Sequence, residues 1–286
     1  MQQRKRSDEQ GVNIMPFGAT TNQKTTSKKF DKSAPVFLDV TPGNRSIRII
    51  GKEIQYKEVW YEKKPIILAV LVPNEDPDEA AEFEGFNGES WWDSPLNQFV
   101  QSLPEERRKR EYAKTRFVVN VFDRTPVIKY NGSVYYPNQS GKYVILDDKG
   151  KVVSADQYSQ PEPHNTVLVL NQSGGKADGK HLLQAIITAS EQMMSYTTGK
   201  PISIYEGDLK IVTKAGEITT RQVYPDMNQS PTEVTQIYDL EAYVKPWPHA
   251  AQQELLDGGD YATIKKAYNL PYYPQLVDVS DDDLPF

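Results

Sequence analysis

The longest uninterrupted apolar run in this 286-residue chain covers positions 66–72 and is closed at both ends by proline, Pro65 and Pro73. A run of that length suits a strand buried on both faces, whereas a membrane-spanning helix takes about 20 apolar residues in a row. The other apolar segments, 46–50, 54–61, 116–122 and 166–170, are equally short, and the first two mix apolar with basic neighbours in near alternation. Turn signals separate them: Gly51-Lys52, Lys63-Lys64-Pro65, Asn131-Gly132, Asp148-Lys149-Gly150 and Ala215-Gly216. The pattern predicts a mainly β (α+β) chain whose strands form a strongly curved sheet or small barrel, with one face in a core and the other wet. Hairpin-like pairs are expected at 127–130 with 134–136, 142–146 with 151–153, and 208–213 with 217–224.

Helices enter as elaborations. Ser94 as N-cap and Pro95 at the first helical position start a helix whose apolar stripe is Leu96, Phe99, Val100 and Leu103. A charged helix follows from Pro104, acidic at its start and basic after it, as the helix dipole prefers. The spacing predicts the main core helix over 178–198, with Leu182, Leu183, Ile186, Ile187, Met193 and Met194 on one face and Gly199 past its end. Two short helices are expected near 250–256 and 261–268, and a disordered segment from 271 onward. The domain reading is a flexible basic arm at 1–34, a core at 35–232, a C-terminal helical segment at 233–274 and an acidic tail at 275–286.

Composition narrows the function. The chain has no cysteine, which excludes a disulfide framework, a thiolate nucleophile and a cysteine zinc site. His164, His181 and His249 lack ligand spacing, and Ser173-Gly174-Gly175-Lys176-Ala177 lacks the first glycine and the Ser/Thr of a phosphate-binding loop. No enzyme, cofactor or metal is expected. Met1 to Arg6 is basic with no apolar stretch behind it, so no signal peptide is read and a cytoplasmic location is expected. The net charge of −6 is segregated: residues 1–38 hold seven Lys/Arg against three Asp/Glu, and residues 233–286 three Lys against ten Asp/Glu. An acidic tail that can leave a basic groove removes the objection that an acidic protein should not bind nucleic acid.

Binding single strands without sequence preference needs cations that track phosphates and aromatic faces on which bases stack. Arg45, Arg48, Lys52 and Lys57 are interleaved with Tyr56 and Trp60, and alternation places these two aromatics on one face. Arg107, Arg108, Arg110, Lys114, Arg116 and Arg124 form a second basic block around Phe117 and Phe122. These twelve Arg, Lys, Tyr and Trp positions are the candidate DNA contacts. Half of such aromatics would point into the core of a curved sheet, and the run 107–110 is equally readable as a solvated helix face. Tyr130, Tyr135, Tyr136 and Tyr143 suit hairpin packing, and Trp91-Trp92 suits packing more than stacking.

The final residues, Asp281, Asp282, Asp283, Leu284, Pro285 and Phe286, resemble the acidic tip of bacterial single-stranded-DNA-binding proteins. That resemblance implies docking of the carboxylates and the Phe ring onto replication and recombination enzymes such as polymerase, helicase or primase. The body resembles the single-stranded-DNA-binding proteins of tailed phages over roughly 36–230. The likeness rests on Thr41-Pro42-Gly43 with the basic strand to Ile50, on 56–61 and 116–124, and on Gly207-Asp208-Leu209-Lys210-Ile211 with Arg221-Gln222-Val223-Tyr224. It implies an OB-fold barrel and a non-catalytic protein that coats single strands in phage DNA replication, recombination and repair. Self-association through the basic arm would go with it. The zinc knuckle of several members is missing, since 73–115 holds no Cys or His. Two other readings stay open: an adaptor that mimics the host tip without binding DNA, and a virion structural protein.

Overall fold

A computed structural model describes residues 36–38, 40, 43–72, 82–111, 113–173, 177–195, 197–214, 217–223 and 234–279, all within one compact unit, 34–286. The expected basic arm, the acidic residues 281–286, the glycine-rich turn 174–176 and Ala215-Gly216 lie outside the described residues.

The fold is mainly β with a few helices. Its main sheet contains β1 (Gly43–Ile49), β2 (Ile54–Tyr61), β3 (Lys64–Val72), β4 (Glu82–Glu84), β5 (Lys114–Asp123) and three later strands. The small strands β6 (Pro126–Tyr130), β7 (Ser133–Tyr135) and β8 (Glu162–Pro163) form a separate three-stranded sheet. The main sheet is completed by β9 (Thr166–Ser173), β10 (Asp208–Lys214) and β11 (Glu217–Val223). Its order is β11-β10-β1-β5-β2-β3-β4, with β9 on the other edge of β5. Every pairing in it is antiparallel. Strand β5 meets β1 through 121–123 and β2 through 114–118, so β1 and β2 share one of its edges, broken at Gly51. Among the described residues no pairing joins β11 to β4.

The apolar run at 66–72 falls in β3, which is covered on both sides. Register slips between Lys57 and Glu58, leaving Leu68 as the extra residue of a bulge. Leu68 joins Val59 and Ile66 in a cluster with Trp91, Leu96, Val100 and Trp247, while Ile67 and Val70 pack on the opposite side around Tyr56. Helix α1 (Pro95–Ser102) starts as its sequence signals: the Ser94 hydroxyl accepts from the Asn97 amide at 3.2 Å, with Pro95 at the first position. Helix α2 (Glu105–Glu111) follows directly.

Helix α3 (Ala177–Glu191) puts Leu182, Ile186 and Ala189 against Ile47, Leu209 and Ile211, each large side chain contributing roughly 1.5–3 kcal/mol by burial. It ends earlier than its apolar pattern predicts. Gln222 on β11 donates to the Met194 carbonyl at 2.7 Å and accepts from the Met194 amide at 3.0 Å, turning the chain out of helical geometry. Met193 still fills the core, at 1% exposure. The expected hairpin at 142–153 is reduced to a single bridge, Leu146 to Val152, closed by a turn in which Asp147 accepts from the Lys149 and Lys151 amides.

The C-terminal part carries β12 (Gln236–Tyr238), α4 (Leu240–Tyr243), α5 (His249–Leu256), α6 (Tyr261–Ala267) and β13 (Leu276–Asp278). Strand β13 corrects the expectation of disorder from 271: it pairs antiparallel with β12, Ile237 opposite Val277. Among the described residues no helix is long and apolar enough to cross a membrane.

Candidate functional site

Directly paired residues of a sheet share a face, and so do residues two apart on a strand. By that rule one face of the main sheet collects Arg48 on β1, Asp208 and Lys210 on β10, Arg221 on β11, Phe122 and Arg116 on β5, and Tyr56, Glu58 and Trp60 on β2. Lys114 joins them opposite Glu58. Arg124, just past β5, reaches the same place through Asp208, Nε to Oδ2 at 3.8 Å. The structure thus brings together six of the twelve expected contacts: Arg48, Tyr56, Trp60, Lys114, Arg116 and Arg124.

The two ends of this face differ chemically. At the β11–β10–β1 end, Arg48 donates to Asp208 at 2.8 Å, and Asp208 also faces Arg124. Burial pulls Arg124 below the usual arginine range; Asp208 opposes that and Arg48 adds to it. One carboxylate therefore serves two guanidiniums. Beside them Lys210 stands directly opposite Arg221. Lys210 is half-buried, Arg221 is exposed, and no ion pair is formed by either among the described residues.

At the β2–β3 end the cations are neutralised. Glu58, only 4% exposed, accepts from Arg116 at 2.6 Å and from the Trp60 indole. Burial lowers Arg116, but the charge and hydrogen bond of Glu58, together with Tyr56 and Tyr243, outweigh it and the guanidinium ends above its ordinary value. Trp60 is 41% exposed and presents its ring to solvent. Tyr56 is not the accessible ring that alternation suggests. It is wholly buried, its hydroxyl donates to Asn171 at 3.2 Å, and burial raises its phenol.

What covers Tyr56 is the C-terminal segment, which crosses the middle of the face. Asn120 on β5 donates to the Tyr238 carbonyl at 2.8 Å and accepts from the Tyr238 amide at 3.1 Å. Ile237 packs on Ile50 and Phe122, Tyr243 packs beside Tyr56, and the Trp247 amide donates to the Ile67 carbonyl at 2.8 Å. Between this segment and the sheet edge lies a cavity of about 260 Å³. The sheet contributes Glu58, Pro65 and Ile67 to it, and the segment contributes Tyr243, Trp247, Tyr261, Tyr272 and Tyr273 with Lys245 and Lys265. Burial pushes the Tyr243 and Tyr261 phenols up to about 12 and the Lys265 ammonium down to about 8.

The remaining expected contacts lie elsewhere. Arg45 is buried on the opposite face, its guanidinium 4.1 Å from the centre of the Tyr136 ring. That ring belongs to a buried network in which Asp123 accepts from Tyr136 at 2.7 Å and lies 2.8 Å from His164 Nδ1. Lys57 also points away, donating to Thr115 at 2.7 Å above the Phe83 ring; burial lowers its ammonium. Lys52 is exposed in the β1–β2 turn, Arg107 is exposed and Arg108 half-buried on α2, and the side chain of Arg110 lies outside the described residues.

Sequence reasoning did not single out Lys210, Arg221, Lys245 or Lys265 as contacts. Lys210 and Arg221 sit in the stretch that carried the family likeness, so strand alternation could have raised them; their alignment with Arg48 depends on pairing across 160 residues. Nothing local marks Lys245 or Lys265. No family model, curated protein or solved structure matches the chain.

Proposed function

We propose that the chain is a non-catalytic single-stranded-DNA-binding protein. Its curved sheet is an OB-type barrel with helical insertions, and it coats and protects single strands during phage-type DNA replication, recombination and repair. The observation that carries this reading is the shared face, on which Arg48, Lys210 and Arg221 lie on three adjacent strands and Trp60 and an aromatic cavity lie beyond them. Cations on neighbouring strands, about 5 Å apart, can follow a phosphate backbone. Exposed aromatic surface on the same face supplies sequence-tolerant stacking, worth about 1–3 kcal/mol per base. The acidic residues Asp281, Asp282 and Asp283 with Leu284, Pro285 and Phe286 recruit replication and recombination enzymes through their basic rims.

Titration with poly-dT at two salt concentrations, read by tryptophan fluorescence, tests the reading. Trp60 and Trp92 are the exposed indoles, at 41% and 63%. Quenching with salt-weakened binding, and no comparable affinity for duplex, is the expected result. No binding at low salt, repeated after removal of residues 280–286, would overturn it in favour of a protein-docking adaptor.

A further inference from the structure

Lys265 is 7% exposed, yet its ammonium is hydrogen-bonded to no oxygen among the described residues. It is held instead by two rings, 4.5 Å from the centre of Tyr272 and 5.5 Å from that of Tyr261. The stem is buried while the ammonium opens on the cavity, where its three donors face no protein acceptor among the described residues and an anion can complete them. The one carboxylate lining the cavity does not: Glu58 is engaged by Arg116 and Trp60. Beside Lys265 the cavity offers aromatic surface that a ligand can reach, because Tyr272 and Tyr273 are each about half exposed. The Tyr272 ring is fixed by its hydroxyl bond to the Ala262 carbonyl at 3.1 Å, and Tyr273 leans on Phe37 at 6.5 Å between ring centres.

We infer that this cavity is a nucleotide pocket: it takes one unstacked base of a bound single strand among the rings of Tyr243, Tyr272 and Tyr273, with the adjoining phosphate on Lys265. The inference rests on the strand-binding reading and extends it, since it makes the C-terminal helical segment part of the binding surface rather than only a cover. A volume of about 260 Å³ is at the small end for ligand pockets and admits one base, not a stacked run. Its sheet wall, Glu58 and Ile67, belongs to the face that carries Arg48, Lys210 and Arg221, so a strand leaving those cations reaches it by passing over the C-terminal segment that crosses between them. An anionic aromatic is the ligand class that uses both the rings and the cavity-facing ammonium.

The test is photocrosslinking of the full chain to a short oligothymidylate carrying 5-iododeoxyuridine, with affinities measured for Lys265→Met and Tyr273→Ala. Crosslinks are expected on Tyr243, Tyr272 or Tyr273, and each variant should bind about tenfold more weakly, the loss of one stacked base or one phosphate contact. The salt dependence should fall in Lys265→Met and stay unchanged in Tyr273→Ala. Should Lys265→Met fail to fold, the half-exposed Tyr273 still decides the matter. Wild-type binding with crosslinks elsewhere and both variants unaffected would overturn the pocket while leaving the strand-binding reading intact. Failure of the wild-type chain to bind any oligothymidylate would overturn both. A synthetic peptide of residues 280–286 that binds in a Lys265-dependent way and is not displaced by oligothymidylate would also overturn it, making the cavity a peptide-docking site.

Discussion

Lys210 and Arg221 face one another across a β ladder, an arrangement that costs stability because like charges directly opposite repel. A phosphate between them would reverse the sign. For single strands the logarithm of affinity falls with the logarithm of salt by about 0.7 per neutralised phosphate. Lys210→Ala and Arg221→Ala should therefore each shrink that slope by about 0.7 without lowering thermal stability, measured by poly-dT titration over a salt series. Lys265 makes a different prediction. Its ammonium is lowered to about 8 by burial, so between about pH 8 and 10 the unfolded chain binds more protons than the folded one. The cost of burying the charge is fully present below that window, and stability rises as pH climbs through it. Lys57, also lowered by burial, acts in the same direction. Above about pH 10 the phenols of Tyr243 and Tyr261 reverse the trend, since they ionise first in the unfolded chain. The melting temperature should climb from pH 8 to 10 and then fall; in Lys265→Met the climb should shrink, a comparison that scanning calorimetry makes directly.

The elements divide by how local their causes are. Strands β1, β2, β3, β5 and β9 were legible because a short apolar run or near alternation, bounded in most cases by turn residues, specifies each without reference to its partner. The α1 start was legible for the same reason: Ser94 and Pro95 satisfy it from within. Strands β4, β8, β12 and β13 are three residues or fewer and exist only as partners of something distant. The end of α3 is another such case, since Gln222 captures the Met194 backbone from 28 residues away. Asn120 does the same for β12, a single side chain holding both polar groups of Tyr238. Asn120→Ala should cost about 2–3 kcal/mol in urea unfolding, because two buried backbone groups lose their partners. Hydrogen exchange at the Tyr238 amide should quicken; unchanged exchange would mean that β12 is seated by other contacts.

For the whole molecule, charge distribution and face geometry combine. The acidic residues 281–283 follow β13, whose partner β12 lies over the sheet face beside Arg48 and Phe122. On the strand-binding reading they compete with phosphates for the same cations. Removing residues 280–286, which leaves β13 intact, should raise affinity for poly-dT several-fold at low salt and little at high salt. Unchanged or weaker low-salt binding would contradict the competition. From the sequence alone came the mainly β class, the short strands and their turns, the absence of cysteine chemistry, and the segregation of charge, because each is a property of neighbours in the chain. The tertiary structure alone decided which cations act together. It set Lys210 and Arg221 in line with Arg48, turned Arg45 and Lys57 to the opposite face, neutralised Arg116 with Glu58, and buried Tyr56 under a segment nearly 200 residues away. Alternation tells which side chains of one strand share a face, but what covers that face is settled by long-range pairing.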